Sequence, residues 1–153
     1  MTNAVLFILI LVISVVPFGA HAEEGSPITY YCEHTRGDLD HRSFYHFPDL
    51  ENNPAYMLLN TWRSKKTGEF HDWNAWNMQY FLGYSETTIL LEMSGSNTPL
   101  VGTLERETGA MMLIYRSSEK PDESDEVFGT GQCKTVDTDM LPIPVPSVSE
   151  YLE

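Results

Sequence analysis

From residue 28 onward the chain reads as apolar and polar positions in strand-length runs, separated by short clusters of turn residues. Ile28–Glu33 is rich in Tyr and Ile and reads as a first strand. Thr35–Asp40 is polar, holds Gly37, and reads as a turn. In Arg42–Phe47 the period of two places Phe44 and His46 on one face and Tyr45 and Phe47 on the other. Pro48–Pro54 is a loop, Ala55–Trp62 a third strand, and Arg63–Gly68 a basic turn. Further on, Thr87–Met93 is a strand of β-branched and Leu residues, and Ser94–Pro99 a turn. Leu100–Glu107 and Ala110–Arg116 flank Thr108-Gly109, a hairpin pattern in which Gly supplies a positive φ. Val127–Cys133 is the last strand, loosened by Gly129 and Gly131.

Two segments break this rhythm. In Phe70–Tyr84 the residues Trp73, Trp76 and Tyr80 sit at i, i+3 and i+7, and Asp72 precedes them as a possible helix cap. A short helix or irregular segment leading into a strand is expected there. From Asp137, Pro142, Pro144 and Pro146 prevent a sheet-interior strand, so residues 137–153 read as an extended, mobile, Pro-rich tail. The whole pattern is that of an all-β protein, mainly antiparallel: a small barrel or sandwich with at most one short helix.

The first 22 residues differ from the rest. Ala4–Val16 is apolar apart from Ser14, Pro17 and Gly19 end the run, and Ala20-His21-Ala22 supplies a small-x-small cleavage pattern before Glu23-Glu24. Residues 1–22 are therefore read as a signal peptide, although Met1-Thr2-Asn3 carries no Lys or Arg. The run falls short of the roughly 20 apolar residues of a spanning helix, so no stable membrane insertion is expected after cleavage. Residues 23–136 then form one secreted domain, periplasmic or extracellular.

The formal net charge of −13 lies entirely outside that leader. Such an acidic surface excludes nucleic acid and anionic lipid as partners and suits a protein or glycan, or simply solubility. Cys32 and Cys133 are the chain's two cysteines, one in the first and one in the last strand. An even count behind a leader implies an oxidising compartment and one structural disulfide. If the terminal strands are neighbours, that bridge locks the seam of a closed sheet.

Four groups of residues could carry function. Trp73, Trp76, Asn77 and Tyr80 combine aromatic platforms with hydrogen-bonding amides and form the candidate binding surface; the competing reading is that the rings are core. His34, His41 and His46, with Glu33, Asp38 and Asp40, crowd one strand–turn–strand unit and give the alternative of zinc binding or pH sensing, against a polar hairpin without a ligand. The acidic run Glu119–Glu126 gives a third option, an acidic inhibitor of a basic secreted enzyme, against a solvated loop. Arg36-Gly37-Asp38 matches an adhesion tripeptide, but Gly and Asp are what a turn needs anyway. Pairs such as His71-Asp72 or Glu105 and Glu107 occur in any acidic chain. No G-x-S-x-G, H-E-x-x-H or phosphate-binding loop is present, so no catalysis and no cofactor is expected.

The termini of the domain, Tyr30-Tyr31-Cys32-Glu33 and Gly129-Thr130-Gly131-Gln132-Cys133, resemble those of small periplasmic lysozyme inhibitors, whose barrels are tied by a terminal disulfide. The resemblance covers about a dozen residues. The Ser-Gly-x-Arg-Tyr loop with which that family blocks its enzyme is missing, so it implies a fold style and no functional residues. The expectation for the chain is a secreted or periplasmic, non-catalytic binding protein for a protein or glycan.

Overall fold

The computed structural model describes residues 26–53, 55–93, 100–115 and 126–146. Residues 1–22, read as a signal peptide, and most of the acidic run at 119–126 lie outside these residues. Eight strands follow in order: β1 (Ile28–Arg36), β2 (Leu39–Phe47), β3 (Ala55–Ser64), β4 (Asn77–Tyr84), β5 (Thr88–Met93), β6 (Leu100–Glu105), β7 (Ala110–Tyr115) and β8 (Glu126–Thr135). Each pairs antiparallel with the next, and β8 returns to β1, so the sheet closes into a barrel. Closure removes every sheet edge, which is why no helix is needed to cover one.

The seam is the β1–β8 pair. Cys32 and Cys133 are register partners there and form the disulfide, with their Cα atoms 4.0 Å apart. Such a bridge fits an oxidising compartment. Gly131 is not a loosening residue. It pairs with His34, and a Cβ at Gly131 would collide with the His34 Cβ and the Glu33 carbonyl, so its missing side chain lets the last strand lie close against the first. The β6–β7 turn has Gly109 at φ +72°, as its Thr-Gly pattern requires. Among the described residues no helix is long and apolar enough to cross a membrane.

Alternation holds along the early strands. Tyr45 and Phe47 point inward, while Phe44 and His46 point outward. The interior core contains Tyr30, Phe47, Tyr56, Ile89, Leu91, Leu104, Met111 and Leu113. Leu50, from the β2–β3 loop, is buried with them and covers the end of the barrel where β1 begins.

No helix forms in the segment 70–84. Residues 68–76 are coil and β4 starts at Asn77. The coil runs beside β3, with the His71 N–H donating to the Trp62 carbonyl at 2.9 Å and the Thr61 hydroxyl donating to the His71 carbonyl. The i, i+3, i+7 spacing of the rings therefore has another cause. Trp73 and Trp76 are needed in a second apolar cluster outside the barrel, with Phe44, Met57 and Leu59. The segment after β8 completes this cluster: Val136, Leu141, Ile143 and Val145 pack on it, and a 3-10 turn at Thr138–Met140 redirects the chain. The prolines block strand pairing but leave the chain free to lie extended over the rings.

Candidate functional site: the polar end of the barrel

The two ends of the interior differ in chemistry. Near the β1–β2 hairpin, inward positions of β1 to β4 hold His34, Arg36, His41, Ser43, Asn60 and Gln79, with Tyr45 and Leu58 beneath them. They enclose a cavity of about 100 Å³. A second depression of about 270 Å³ lies alongside, bordered by His34 and His41 and by Glu33, Asp40, Arg42, Arg63 and Phe70. In that outer groove the charges are already paired: Arg42 with Glu33 at 3.5 Å and Arg63 with Asp40 at 3.1 Å, with both guanidiniums over the Phe70 ring. The inner cavity differs, because among the described residues no Asp or Glu lines it.

Register explains the assembly. His34 and His41 are direct partners across β1 and β2, Ser43 pairs with Cys32 and Asn60, and all of these share the inward face. The two imidazole rings are parallel, with centroids 5.0 Å apart. Ser43 Oγ donates to Asn60 Oδ1 at 2.8 Å. The hydroxyl has one hydrogen, so the 3.1 Å contact from His34 is Nε2–H donating to Ser43. Asn60 Oδ1 is an acceptor and takes His41 Nδ1–H at 3.2 Å. This chain of three bonds sets both tautomers. His34 Nδ1 and His41 Nε2 are left as bare acceptors, buried and without a hydrogen-bond partner.

Electrostatics keeps the rings neutral. Burial, the neighbouring His41 and the Arg36 guanidinium lower the His34 pKa to about 3, against a smaller opposing contribution from the Thr35 backbone. His41 is lowered too, chiefly by burial, with Arg36 opposing its charge. Burial raises the Tyr45 pKa against the opposing pull of Ser43 and Arg36, so its hydroxyl stays protonated; it is fully buried, lies near Ser43, and makes no hydrogen bond of good geometry. Arg36 reaches over the Phe128 ring, 5.6 Å from its centroid. Only a few per cent of buried polar groups in folded proteins lack a partner; of the four such side-chain atoms among the described residues, three belong to His34, His41 and Tyr45, which line this cavity, and the fourth is the Tyr56 hydroxyl. The Ser43–His34 contact is not that of an activated nucleophile. The Ser43 proton points to Asn60 and not to a base, and the residue is 1% exposed.

The residues singled out from sequence meet different fates. His34 and His41 come together, but His46 faces outward and bonds Thr29 Oγ1 through Nδ1 at 2.8 Å. Among the described residues no three His, Cys, Asp or Glu side chains are grouped to hold a metal ion. The four members of the aromatic surface are not brought to one place. Trp76 is 4% exposed and donates its Nε1–H to the Ile143 carbonyl at 3.2 Å. Trp73 packs on Phe44. Asn77 bonds the Ala75 carbonyl and begins β4, whereas Tyr80 stands exposed on its outer face. In Arg36-Gly37-Asp38 the arginine lies over the Phe128 ring. Sequence reading missed Arg36, Ser43, Asn60 and Gln79 as site members. Their signal was a polar residue at an inward position of a strand, legible only once the inward face is known.

No family model matches the chain, and neither a curated protein nor a solved structure matches it.

Proposed function

We propose that this is a non-catalytic binding protein, exported by its leader to an oxidising compartment, whose partner inserts a polar group into the open polar end of the barrel. The partner is a protein or a glycan. The observation that supports this most is the set of buried polar atoms without partners on His34, His41 and Tyr45, three residues that line one cavity. A barrel that needed only to fold would place apolar side chains at these positions; its other end is filled mainly by apolar side chains, although the buried Tyr56 hydroxyl there also lacks a partner. The absence of acidic residues from the cavity, in a chain of net charge −13, points the same way.

The test is a panel of glycans and peptides probed with the wild type, His41→Phe and Tyr80→Ala. Binding should be lost in His41→Phe at a nearly unchanged melting temperature and kept in Tyr80→Ala. The opposite result would move the site to the exposed outer face of β4.

A further inference from the structure

We infer that the group taken into this cavity is a diol edge of a sugar or polyol, whose hydroxyls donate to His34 Nδ1 and His41 Nε2 and accept from Arg36. The inference rests on reading the polar end as the binding site and names its ligand class.

Four ligand chemistries can be weighed against the same atoms. An apolar group would leave His34 Nδ1, His41 Nε2 and the Tyr45 hydroxyl unpaired in a dry site, at a cost that no contact returns. A cation could use bare imidazole nitrogens, but the rings are parallel, no carboxylate lines the cavity, and the Arg36 guanidinium shares it. An anion would suit Arg36, yet it would face two lone pairs. To turn those nitrogens into donors, both buried rings would have to be protonated beside a fixed positive charge.

A hydroxyl is donor and acceptor on one atom. It gives its hydrogen to an imidazole nitrogen while its oxygen accepts from a guanidinium, and each bond polarises the other favourably. Two neighbouring hydroxyls meet both histidines and still offer lone pairs to Arg36, Gln79 and Tyr45. An amide group also carries donors and an acceptor, but its single oxygen would have to serve all three of those donors. Size sets a further limit. A cavity of about 100 Å³ is well below the roughly 300 Å³ at which pockets engulf a drug-sized ligand, so it takes one edge of a ring and not the whole.

The experiment is a titration of the ¹⁵N-labelled, disulfide-bonded protein at neutral pH, reading the imidazole nitrogens in long-range ¹H–¹⁵N spectra. The probes are glucose, mannose, myo-inositol, permethylated glucose, acetamide and acetate. Before any addition, His34 should appear as the Nε2–H tautomer and His41 as the Nδ1–H tautomer. At least one unmodified polyol should shift His34 Nδ1 and His41 Nε2 saturably, and permethylated glucose, which has no donors, should not. Arg36→Gln should weaken that binding by about tenfold or more, as for loss of a hydrogen bond to a charged group. Arg42→Gln, paired with Glu33 on the outer face, should leave it unchanged. If Arg36→Gln does not fold, Gln79→Leu serves in its place. Saturation by acetamide, acetate or the permethylated sugar, with the polyols inert, overturns the diol assignment while keeping the cavity as a binding site. If no probe moves either histidine, both readings fall.

Discussion

The two ends of one barrel interior are built from the same strands with opposite chemistry. Where β1 begins, Phe47, Tyr56, Ile89 and Leu104 fill the space and Leu50 closes it. Where β1 ends, the corresponding inward positions carry His34, Arg36, His41, Ser43 and Asn60 around a cavity. The β1–β2 and β2–β3 ladders run through both ends, whereas β3–β4 pairing stops at Leu58 and β1–β8 pairing at His34, so the polar end is also where the ladder is less complete. The apolar end is what stability asks for, because each buried ring removes apolar area from water. The polar end costs stability and gives the molecule a cavity with fixed hydrogen-bond directions, which folding alone does not need. The difference separates the part that holds the barrel from the part that uses it.

The largest effect should come from breaking what both ends share. Cys32→Ala with Cys133→Ala opens a loop of 101 residues' separation, and the chain-entropy model puts the loss at about 4–5 kcal/mol. Both ends should then melt together, in one transition at a much lower temperature, in a denaturant titration read by Trp fluorescence. Loss of the polar end alone, with the apolar end intact, would mean that the seam is held by β-pairing and not by the bridge. Within the intact barrel the ends should part company. Phe47→Ala, fully buried, should cost about 3–5 kcal/mol. Asn60→Leu removes the acceptor shared by Ser43 and His41 and should cost less, about 1–3 kcal/mol, while disrupting the set tautomers. Equal losses at the two positions would erase the distinction between them.

Much of the fold was legible in the sequence, and for one reason. Strands that line a barrel are half-buried, so alternation marks them: seven of the eight strands found lie over runs that read as strands, and β4 ends the segment expected to lead into one. The pairing of Cys32 with Cys133 followed from their places in the terminal runs. At Phe70–Tyr84 the irregular segment leading into a strand is what forms, and only the helix option fails, for an instructive reason. Trp73 and Trp76 are spaced like a helix face but are held by Phe44 and by the chain after β8, a contact between distant segments that no local window contains. The site was half legible for a related reason. His34, His41 and His46 look equivalent in sequence, yet a period of two sends His34 and His41 inward and His46 outward. Ser43 and Asn60 gave no signal because a Ser or an Asn in a strand is ordinary until its direction is known, and Arg36 stood out only as part of Arg36-Gly37-Asp38, for a different role.

The smallest expected effect probes the polar end by pH, and its sign distinguishes that end from the apolar one. His34 has a folded pKa near 3, below its ordinary value of 6.5, because burial, His41 and Arg36 all oppose its charge. The unfolded chain therefore binds the proton more tightly, so stability is complete above pH 6.5 and declines as pH falls from there toward 3. His41 and His46 are lowered as well, mainly by burial, and act in the same direction. Between pH 7 and 6 each histidine should contribute a loss below about 1 kcal/mol. The chain's many carboxylates act mainly at lower pH, since their ordinary range lies lower. A variant isolates the effect: His34→Phe should flatten the decline between pH 7 and 5, whereas Phe47→Leu at the apolar end should shift the whole curve without changing its slope. A decline of unchanged steepness in His34→Phe would mean that His34 is already solvated, and the cavity would then be wet and open instead of holding two bare nitrogens ready for a ligand's hydrogens.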